Sequence, residues 1–292
     1  MKKQLLALLA LTLCCFCGNA QLLYRISGNG LPKPSYLFGT HHLAPISVID
    51  SVKGTRAALD EVAQVIGEID MTINQMELQM KMQPFMIAPS DSTLSKVISA
   101  EDLARISPRF QDMAPMPGLT LQMLEPMKPF AAQQIAVVGF MSRNMPGYDP
   151  NQQLDTWFQK EGKEKGKSIR GLETPEFQAE LLFNRLPISK QAKDLVEFLD
   201  NPQKGIDEGL KLNNAYLKQD IDGMADMSTA FEDDPEFYNK LLKERNDKWV
   251  AELPAMLKAN PSFIAVGALH LVGDDGLINQ LRKLGYKVEP VK

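Results

Sequence analysis

A chain of 292 residues is long enough to bury a sizeable core, either as one large domain or as a domain with a helical insertion. Its 32 Lys and Arg residues are outnumbered by 36 Asp and Glu residues, which gives a formal net charge of −4, and the basic residues form no stripe. The composition therefore argues against nucleic acid or an anionic membrane surface as the main partner.

The start of the chain has the pattern of a signal peptide. Two lysines precede an apolar run from Leu5 to Phe16, and Gly18-Asn19-Ala20 offers small residues at a cleavage site. The apolar run is shorter than the about 20 residues that a membrane-spanning helix needs. We therefore expect a leader at 1–20, a mature chain at 21–292 without a transmembrane segment, and export to the periplasm or secretion.

The cysteines support the same boundary, because all of them lie inside the leader, at Cys14, Cys15 and Cys17. A mature chain without thiols excludes disulfides and cysteine nucleophiles, although export implies an oxidising compartment. A lipoprotein signal needs a small residue just before its cysteine, and Leu13 and Phe16 do not meet that requirement. Lipoprotein anchoring is the less favoured prediction.

The N-terminal part of the mature chain predicts short strands at Leu22–Ile26 and Tyr36–Phe38, joined by a turn rich in Gly and Pro. The apolar spacing from Val48 to Ala63 predicts a helix. Val65–Asp70 predicts the next strand. This order of elements indicates a compact α/β unit.

The middle of the chain, about 72–258, has a mostly helical pattern, and Ser168–Leu172 is its one convincing strand. The final stretch again predicts a strand at Phe263–Val266, a short helix at Leu277–Leu284 and a closing strand at Tyr286–Val291. We therefore predict an α/β fold of the mixed α+β kind. Its central mixed sheet is built from both chain ends, with a long, mostly helical middle segment inserted between them.

Methionines recur at near-helical intervals in the first part of this middle segment, at Met71, Met76, Met80, Met82 and Met86. Such a stripe is more typical of adaptable core or groove packing than of a cofactor site, because methionine fills irregular gaps. A substrate groove is the alternative.

All 3 histidines lie in two copies of a Gly-x-x-His pattern, Gly39-Thr40-His41-His42 and Gly267-Ala268-Leu269-His270, each after a short apolar run. Histidine is the commonest metal ligand and the usual acid or base at neutral pH. Ligands just beyond the carboxyl ends of strands face the crevice in which open α/β sheets bind their ligands. Gly39 and Gly267 let the backbone turn sharply or approach a ligand closely. We therefore predict that His42 and His270 share one cleft; the alternative is that the histidines only cap or pack.

A catalytic metal ion usually has three protein ligands, and Glu68 is the best third candidate. In an extended strand Glu68 and Asp70 point to the same face, and a buried carboxylate is costly unless it is paired or bound to a metal. Asp70 is the weaker candidate, because together with Thr72 it is also typical of a helix cap.

Three further polar residues are candidates for the site. Glu173 directly follows the strand that ends at Leu172, although Thr174 also suits the cap of a helix that starts at Pro175. Arg245 and Asn246 lie in a helix of otherwise ordinary pattern. An arginine there can clamp a substrate carboxylate or stabilise an oxyanion.

These residues lie in five segments whose order along the chain resembles that of the TraB/GumN family, to which the TIKI proteases of animals also belong. The segments are Tyr36-Leu37-Phe38-Gly39-Thr40-His41-His42, Glu68-Ile69-Asp70, Gly171-Leu172-Glu173-Thr174, Glu244-Arg245-Asn246 and Val266 to Gly276. The resemblance runs across almost the whole mature chain. It implies a hydrolase fold related to the erythromycin-esterase-like proteins, with two similar halves in a mixed α/β core.

The resemblance also implies roles for individual residues. His42 and His270 would be the site histidines, Glu68 the catalytic or ligating carboxylate, and Glu173 and Arg245 supporting groups. The implied cofactor is a divalent ion, Mn²⁺ or Co²⁺ as in the animal proteases, with Zn²⁺ also compatible. The chain departs from the commoner pattern at His41, which leaves open whether His41 or His42 faces the site.

The leading hypothesis is an exported metal-dependent hydrolase that acts on a peptide or small molecule. His42, His270 and Glu68 would hold the ion, Arg245 would stabilise the oxyanion, and Glu173 would support the site or carry a proton. The alternative is a non-catalytic protein that binds or sequesters a peptide or signal in the same pocket. A weaker reading is a structural protein in which His42 and His270 lie far apart.

Overall fold

The computed structural model of the protein describes residues 21–227 and 235–292. The predicted leader at 1–20 and its cysteines lie outside the described residues. Within the described ranges, no helix combines the length and the apolar character needed to cross a bilayer.

The strands of the described residues form one six-stranded mixed sheet in the order β4-β3-β5-β2-β1-β6. Their bounds are β1 Leu23–Gly28, β2 Ser35–Thr40, β3 Gln64–Gly67, β4 Ser168–Gly171, β5 Ser262–Gly267 and β6 Tyr286–Pro290. Strand β1 is antiparallel to β2 and β6, whereas the neighbours from β4 to β2 are parallel. The predicted mixed sheet, built from both chain ends, is confirmed.

The central strands are apolar on both faces because helices cover both sides of the sheet. In β2, Tyr36 and Phe38 join one hydrophobic cluster and Leu37 joins the other. In β5, Phe263 and Ile264 alternate between the same two clusters. Successive side chains of a strand point to opposite faces, so a continuous apolar run fills two cores at once.

The helices surround this sheet and fill the middle of the chain, as predicted. Their bounds are α1 Val48–Ser51, α2 Thr55–Glu61, α3 Gln75–Met86, α4 Leu94–Val97, α5 Ala100–Met113, α6 Pro129–Asn144, α7 Leu154–Glu164, α8 Pro175–Phe183, α9 Ile188–Asp200, α10 Pro202–Leu217, α11 Ile221–Met227, α12 Pro235–Tyr238, α13 Glu244–Ala259 and α14 Leu277–Lys283. Helices α5, α6 and α9 share a separate hydrophobic cluster that includes Phe110, Ala132 and Leu195.

Two local predictions were wrong. The helix predicted from Val48 to Ala63 is split into α1 and α2, because Gly54 adopts a positive φ of 81° at the break. Strand β3 ends at Gly67 rather than at Asp70. Glu68 and Asp70 therefore do not share a strand face, and Glu68 instead begins the loop that leaves the sheet.

Candidate functional site

The predicted site residues follow the carboxyl ends of neighbouring parallel strands. His41 and His42 follow β2, Glu68 follows β3, and His270 closes a 3-10 turn, Ala268–His270, directly after β5. The register pairs Thr40 with Gly267 and Gly67 with Ala265, which aligns these strand ends at one edge of the sheet. The edge is the place where α/β sheets bind their ligands.

A cavity of about 470 Å³ opens at this edge and is called the cleft below. Its polar lining includes His41, His42, Glu68, Arg245 and His270, so the structure brings together side chains from both ends of the chain. The remaining lining is mostly apolar and comes largely from the helical segments; it includes Met71, Leu78, Met82, Leu181, Leu212 and Leu269. The cleft therefore has a polar part at the strand ends and an apolar wall on its helical side.

Arg245 of α13 is the centre of the polar network. Its Nε and Nη2 donate to the two oxygens of Glu173, at 2.8 Å each, and Nη2 also donates to Glu68 Oε2 at 2.6 Å. Nη1 donates to the carbonyl of Leu241 at 3.0 Å and lies 3.0 Å from His270 Nε2. An arginine has five N–H donors, so this network engages all of them.

Glu68 accepts hydrogen bonds on both of its oxygens. Besides Arg245, Gln178 donates to Oε2 at 2.9 Å and the Gly267 N–H donates to Oε1 at 2.8 Å. Burial by itself raises the pKa of Glu68, but the His270 imidazole, the Arg245 guanidinium and the Gly267 N–H outweigh it and lower the pKa to about 2. Glu68 is therefore a carboxylate at neutral pH.

His270 is buried and held from several sides. Its Nδ1 lies 2.7 Å from Asn246 Oδ1, and Asn246 Nδ2 donates to the carbonyls of His270 and Asp275. Because these carbonyls fix the amide, Asn246 Oδ1 must accept from Nδ1–H, which leaves the lone pair on Nε2. Burial lowers the pKa of His270 to about 3, with the Glu68 carboxylate opposing and Arg245 reinforcing the shift. The imidazole is therefore neutral at neutral pH.

A second polar group, around Asp155, also lines the cleft. Thr40 Oγ1 donates to Asp155 Oδ1 at 2.7 Å, while Asp155 Oδ2 is buried and has no hydrogen-bond partner. His42 Nδ1 lies 3.6 Å from Asp155 Oδ2, on a side chain that is 74% exposed. Burial raises the pKa of Asp155, His42 opposes this shift, and the negative charge of Glu68 reinforces it.

His41 and His42 both line the cleft, in different environments. The ring of His41 lies 5.2 Å from that of Tyr216, and His41 Nε2 is buried without a partner. Burial, with a smaller contribution from His42, lowers the pKa of His41 to about 4. The two imidazoles therefore differ in accessibility, because the His42 side chain is 74% exposed and His41 is half-buried.

Of the remaining predicted residues, Gly267 lines the cleft, and the others make contacts outside its lining. Gly39 accepts a hydrogen bond from Tyr216, and a Cβ at Gly39 would lie 3.0 Å from Ala268. Asp70 makes a local turn by accepting from the N–H and hydroxyl of Thr72, but the predicted helix cap was wrong, because Asn74 is the N-cap of α3. Asp70, Glu173 and Asn246 are not among the residues that line the cleft.

The structure also tests the predicted helix cap at Thr174 and the predicted methionine stripe. Thr174 accepts from Phe177 N at 3.1 Å, which confirms that it caps α8. The methionine stripe has a mixed outcome. Met82 and Met86 pack against a hydrophobic cluster, and Met71 and Met82 line the cleft, whereas Met76 and Met80 are exposed.

The sequence patterns missed several residues that shape the site. Asp155 starts α7 in a segment without any motif, and Gln178 lies one turn into α8. Gln159 ties the loop after β3 to α7, because its amide bonds the Ile69 carbonyl and the Met71 N–H. The capped start of α8 after Glu173 was the only signal that could have indicated Gln178.

The donor types around the cleft suit a divalent cation. Imidazole and carboxylate groups bind Mn²⁺, Co²⁺ and Zn²⁺. The Oδ2 atom of Asp155 has no hydrogen-bond partner, whereas the Nε2 lone pair of His270 faces Arg245 Nη1 at 3.0 Å and must exchange that contact for an ion. Within the described ranges, no group of three or more His, Cys, Asp or Glu side chains is gathered closely enough to hold an ion. The residues therefore fit a divalent ion by their donor chemistry, although the donors are not yet gathered around one point.

The depressed pKa of His41 predicts a loss of stability in mild acid. Its folded value of about 4 lies below the ordinary 6.5, so the unfolded chain takes up a proton first as the pH falls below 6.5. The contribution of His41 to the free energy of unfolding is complete above pH 6.5 and declines towards pH 4. The slope is at most about 1.4 kcal/mol per pH unit. Urea unfolding of the metal-free protein between about pH 7 and pH 5 should give a shallower slope for His41→Gln than for the wild type. Equal slopes would contradict the assignment.

Comparison with known protein families gives a match to one family. The model of the TraB/PrgY/gumN family matches residues 22–290, which is nearly the whole chain. No curated protein and no solved structure matched the chain. The ordered motifs at the strand ends and the family match over residues 22–290 agree, and the chain belongs to the TraB/PrgY/gumN family.

Proposed function

We propose that the protein is an exported, divalent-metal-dependent hydrolase that acts in the cleft. The observation that carries this proposal is the convergence of His42, Glu68 and His270 from distant parts of the chain on one cavity. The signal-peptide pattern of residues 1–20 supports export to the periplasm or beyond the cell.

The ionisation of the buried donors supports metal binding. Metal ligands must be deprotonated, and the low pKa values of Glu68 and His270 leave a carboxylate and a neutral imidazole at neutral pH. His42, Glu68 and His270 would hold the ion, and a bound divalent ion supplies an activated water and a Lewis acid for ester or amide hydrolysis. Mn²⁺ and Co²⁺ are the first candidates, and Zn²⁺ is the third.

Arg245 and Glu173 would act by positioning the ligands. Arg245 holds Glu68 and lies against His270, and Glu173 neutralises and orients the guanidinium from behind. With its five donors engaged, Arg245 must release one of them before it can also stabilise an oxyanion. Glu173, at 3% side-chain exposure, is better placed to hold Arg245 than to exchange protons with substrate.

The apolar wall of the cleft indicates the kind of substrate. Leu78 and Met82 of α3, Leu181 of α8 and Leu212 of α10 face the cavity whose polar part holds Glu68 and His270. A substrate with apolar groups beside its scissile bond would bury them there, at about 25 cal/mol for each Å² removed from water. A peptide with apolar side chains, or a small apolar ester or amide, fits this arrangement.

The proposal is tested with the mature chain, residues 21–292, and a peptide library. The protein is incubated with Mn²⁺, Co²⁺ or Zn²⁺, and with EDTA in a matched sample, and products are identified by mass spectrometry. We expect cleavage products in at least one metal sample, enriched in apolar residues at the cut, and none with EDTA. Retention of intact peptide without product would instead support the binding or sequestering alternative. Neither product nor bound metal by elemental analysis would overturn the proposal.

A further inference from the structure

In each of the two Gly-x-x-His segments, the Nδ1 atom of the last histidine faces a side-chain oxygen from a helix. The Nδ1 atom of His270 faces a side-chain oxygen of α13, Asn246 Oδ1, at 2.7 Å. The Nδ1 atom of His42 faces a side-chain oxygen of α7, Asp155 Oδ2, at 3.6 Å. In both cases a helix presents the oxygen to Nδ1. The other ring nitrogen of His270, Nε2, lies 3.0 Å from Arg245 Nη1.

Asp155 has the features of a residue that is kept for a partner. Thr40, at the end of β2, holds its Oδ1 at 2.7 Å and so fixes the carboxyl group. Its Oδ2 is buried with no hydrogen-bond partner, an arrangement that costs free energy unless another group completes it. The 3.6 Å distance to His42 is longer than a hydrogen bond, and a small rotation of the exposed His42 ring would close it.

We propose that Asp155 is a positioning residue that accepts a hydrogen bond from His42 Nδ1–H and so directs His42 Nε2 to the ion. The inference rests on the proposed function, because it assigns Asp155 a part in holding one of the proposed ligands. Ligating histidines commonly donate their other ring N–H to a carboxylate or amide oxygen, which fixes the tautomer and the ring orientation. Asp155 would then do for His42 what Asn246 does for His270.

The inference predicts the tautomer of His42 before any metal is added. In the metal-free protein at about pH 8, where an ordinary imidazole is neutral, ¹⁵N NMR of the histidine rings should find the proton of His42 mainly on Nδ1. Asp155→Leu removes the acceptor and should leave a mixture of both tautomers. Asp155→Asn keeps an oxygen acceptor, as Asn246 has for His270, and should retain the Nδ1–H form.

Matched controls separate this effect from a change in folding. Glu164→Gln alters an exposed carboxylate on the same helix and should leave the His42 signals unchanged. His42→Asn identifies the His42 signals by their disappearance. If Asp155→Leu fails to fold, the wild type and Asp155→Asn still decide, because a wild-type His42 that carries its proton mainly on Nε2 would overturn the inference.

The metal-linked part is measured by isothermal titration with Mn²⁺. Loss of a group that orients a ligand typically weakens metal affinity by about 10- to 100-fold, so Asp155→Leu should weaken Mn²⁺ binding by that factor. Asp155→Asn should recover most of the affinity. Wild-type protein that binds no Mn²⁺, Co²⁺ or Zn²⁺ would overturn the proposed function but leave the tautomer result standing. Equal affinity in the wild type and Asp155→Leu would overturn the positioning role of Asp155.

Discussion

Replacing Arg245 with methionine is expected to lower the free energy of unfolding by about 3–5 kcal/mol. The Arg245 side chain is only 4% exposed and holds Glu173, which is 3% exposed, and Glu68, which is 18% exposed. Methionine fills a similar volume but leaves two buried carboxylates without a counter-charge. Removing one partner of a buried ion pair is strongly destabilising for this reason. Urea unfolding followed by tryptophan fluorescence measures the loss, since Trp249 donates to Glu173 from within the same network.

Two further variants test the cause of that loss. Arg245→Lys keeps the charge but not the planar set of donors, so its stability should lie between those of the wild type and Arg245→Met. The double variant Arg245→Met/Glu173→Gln should recover part of the loss, because it removes one of the unpaired buried charges. Arg105 pairs with Asp102 and Asp200 at the surface, and Arg105→Met should cost at most about 1 kcal/mol. A loss in Arg245→Met no larger than that of Arg105→Met would contradict the central role of the network.

The fold could be predicted well where apolar side chains determine it. The side chains of the runs Tyr36–Phe38 and Phe263–Val266 are almost entirely apolar. Such runs are typical of strands that are buried on both faces of a sheet. The break at Gly54 could not be predicted in the same way. The apolar spacing of α1 and α2 continues across the break, and the two helices are separated by the extended backbone of Val52 and the positive φ of Gly54.

The central residues of the candidate site could be predicted, but the residues that contact them could not. Strand ends, glycines and scarce histidines indicated His42, His270 and Glu68, because these features are visible in short stretches of sequence. The partner of Glu68 on α8, Gln178, and the carboxylate beside His42, Asp155, were missed. Their positions depend on how helices far apart in the chain pack against the sheet, and a glutamine or aspartate in a helix has many ordinary roles on a protein surface. The early end of β3 was missed for a similar reason, since apolar Ile69 continues the strand pattern although its carbonyl is bonded by Gln159.

The largest effect on the proposed activity is expected from Glu68→Gln. The variant removes the charge of a proposed ligand, and metal-dependent hydrolysis should fall by about 10²- to 10⁴-fold, the range seen when an acid–base group is lost. A glutamine cannot reproduce the contacts either. Donors face both oxygens of Glu68, from Arg245 and Gln178 on one side and Gly267 on the other, so the amide NH₂ must meet a donor wherever it points. We expect a stability loss of about 1–3 kcal/mol in addition to the loss of metal binding.

Glu173→Gln is the matched control for this variant, because Glu173 pairs with the same guanidinium but does not line the cleft. Both variants should lose stability to a similar extent, since each disrupts a buried contact with Arg245. Their metal affinities should differ, because Glu173 acts on the ion only through Arg245 and its loss should cost at most about tenfold in Mn²⁺ affinity, against more than about 100-fold for Glu68→Gln. Equal affinities for Mn²⁺ in the two variants would mean that Glu68 serves the fold rather than the ion. The comparison therefore separates a ligand from a structural carboxylate within one hydrogen-bonded network.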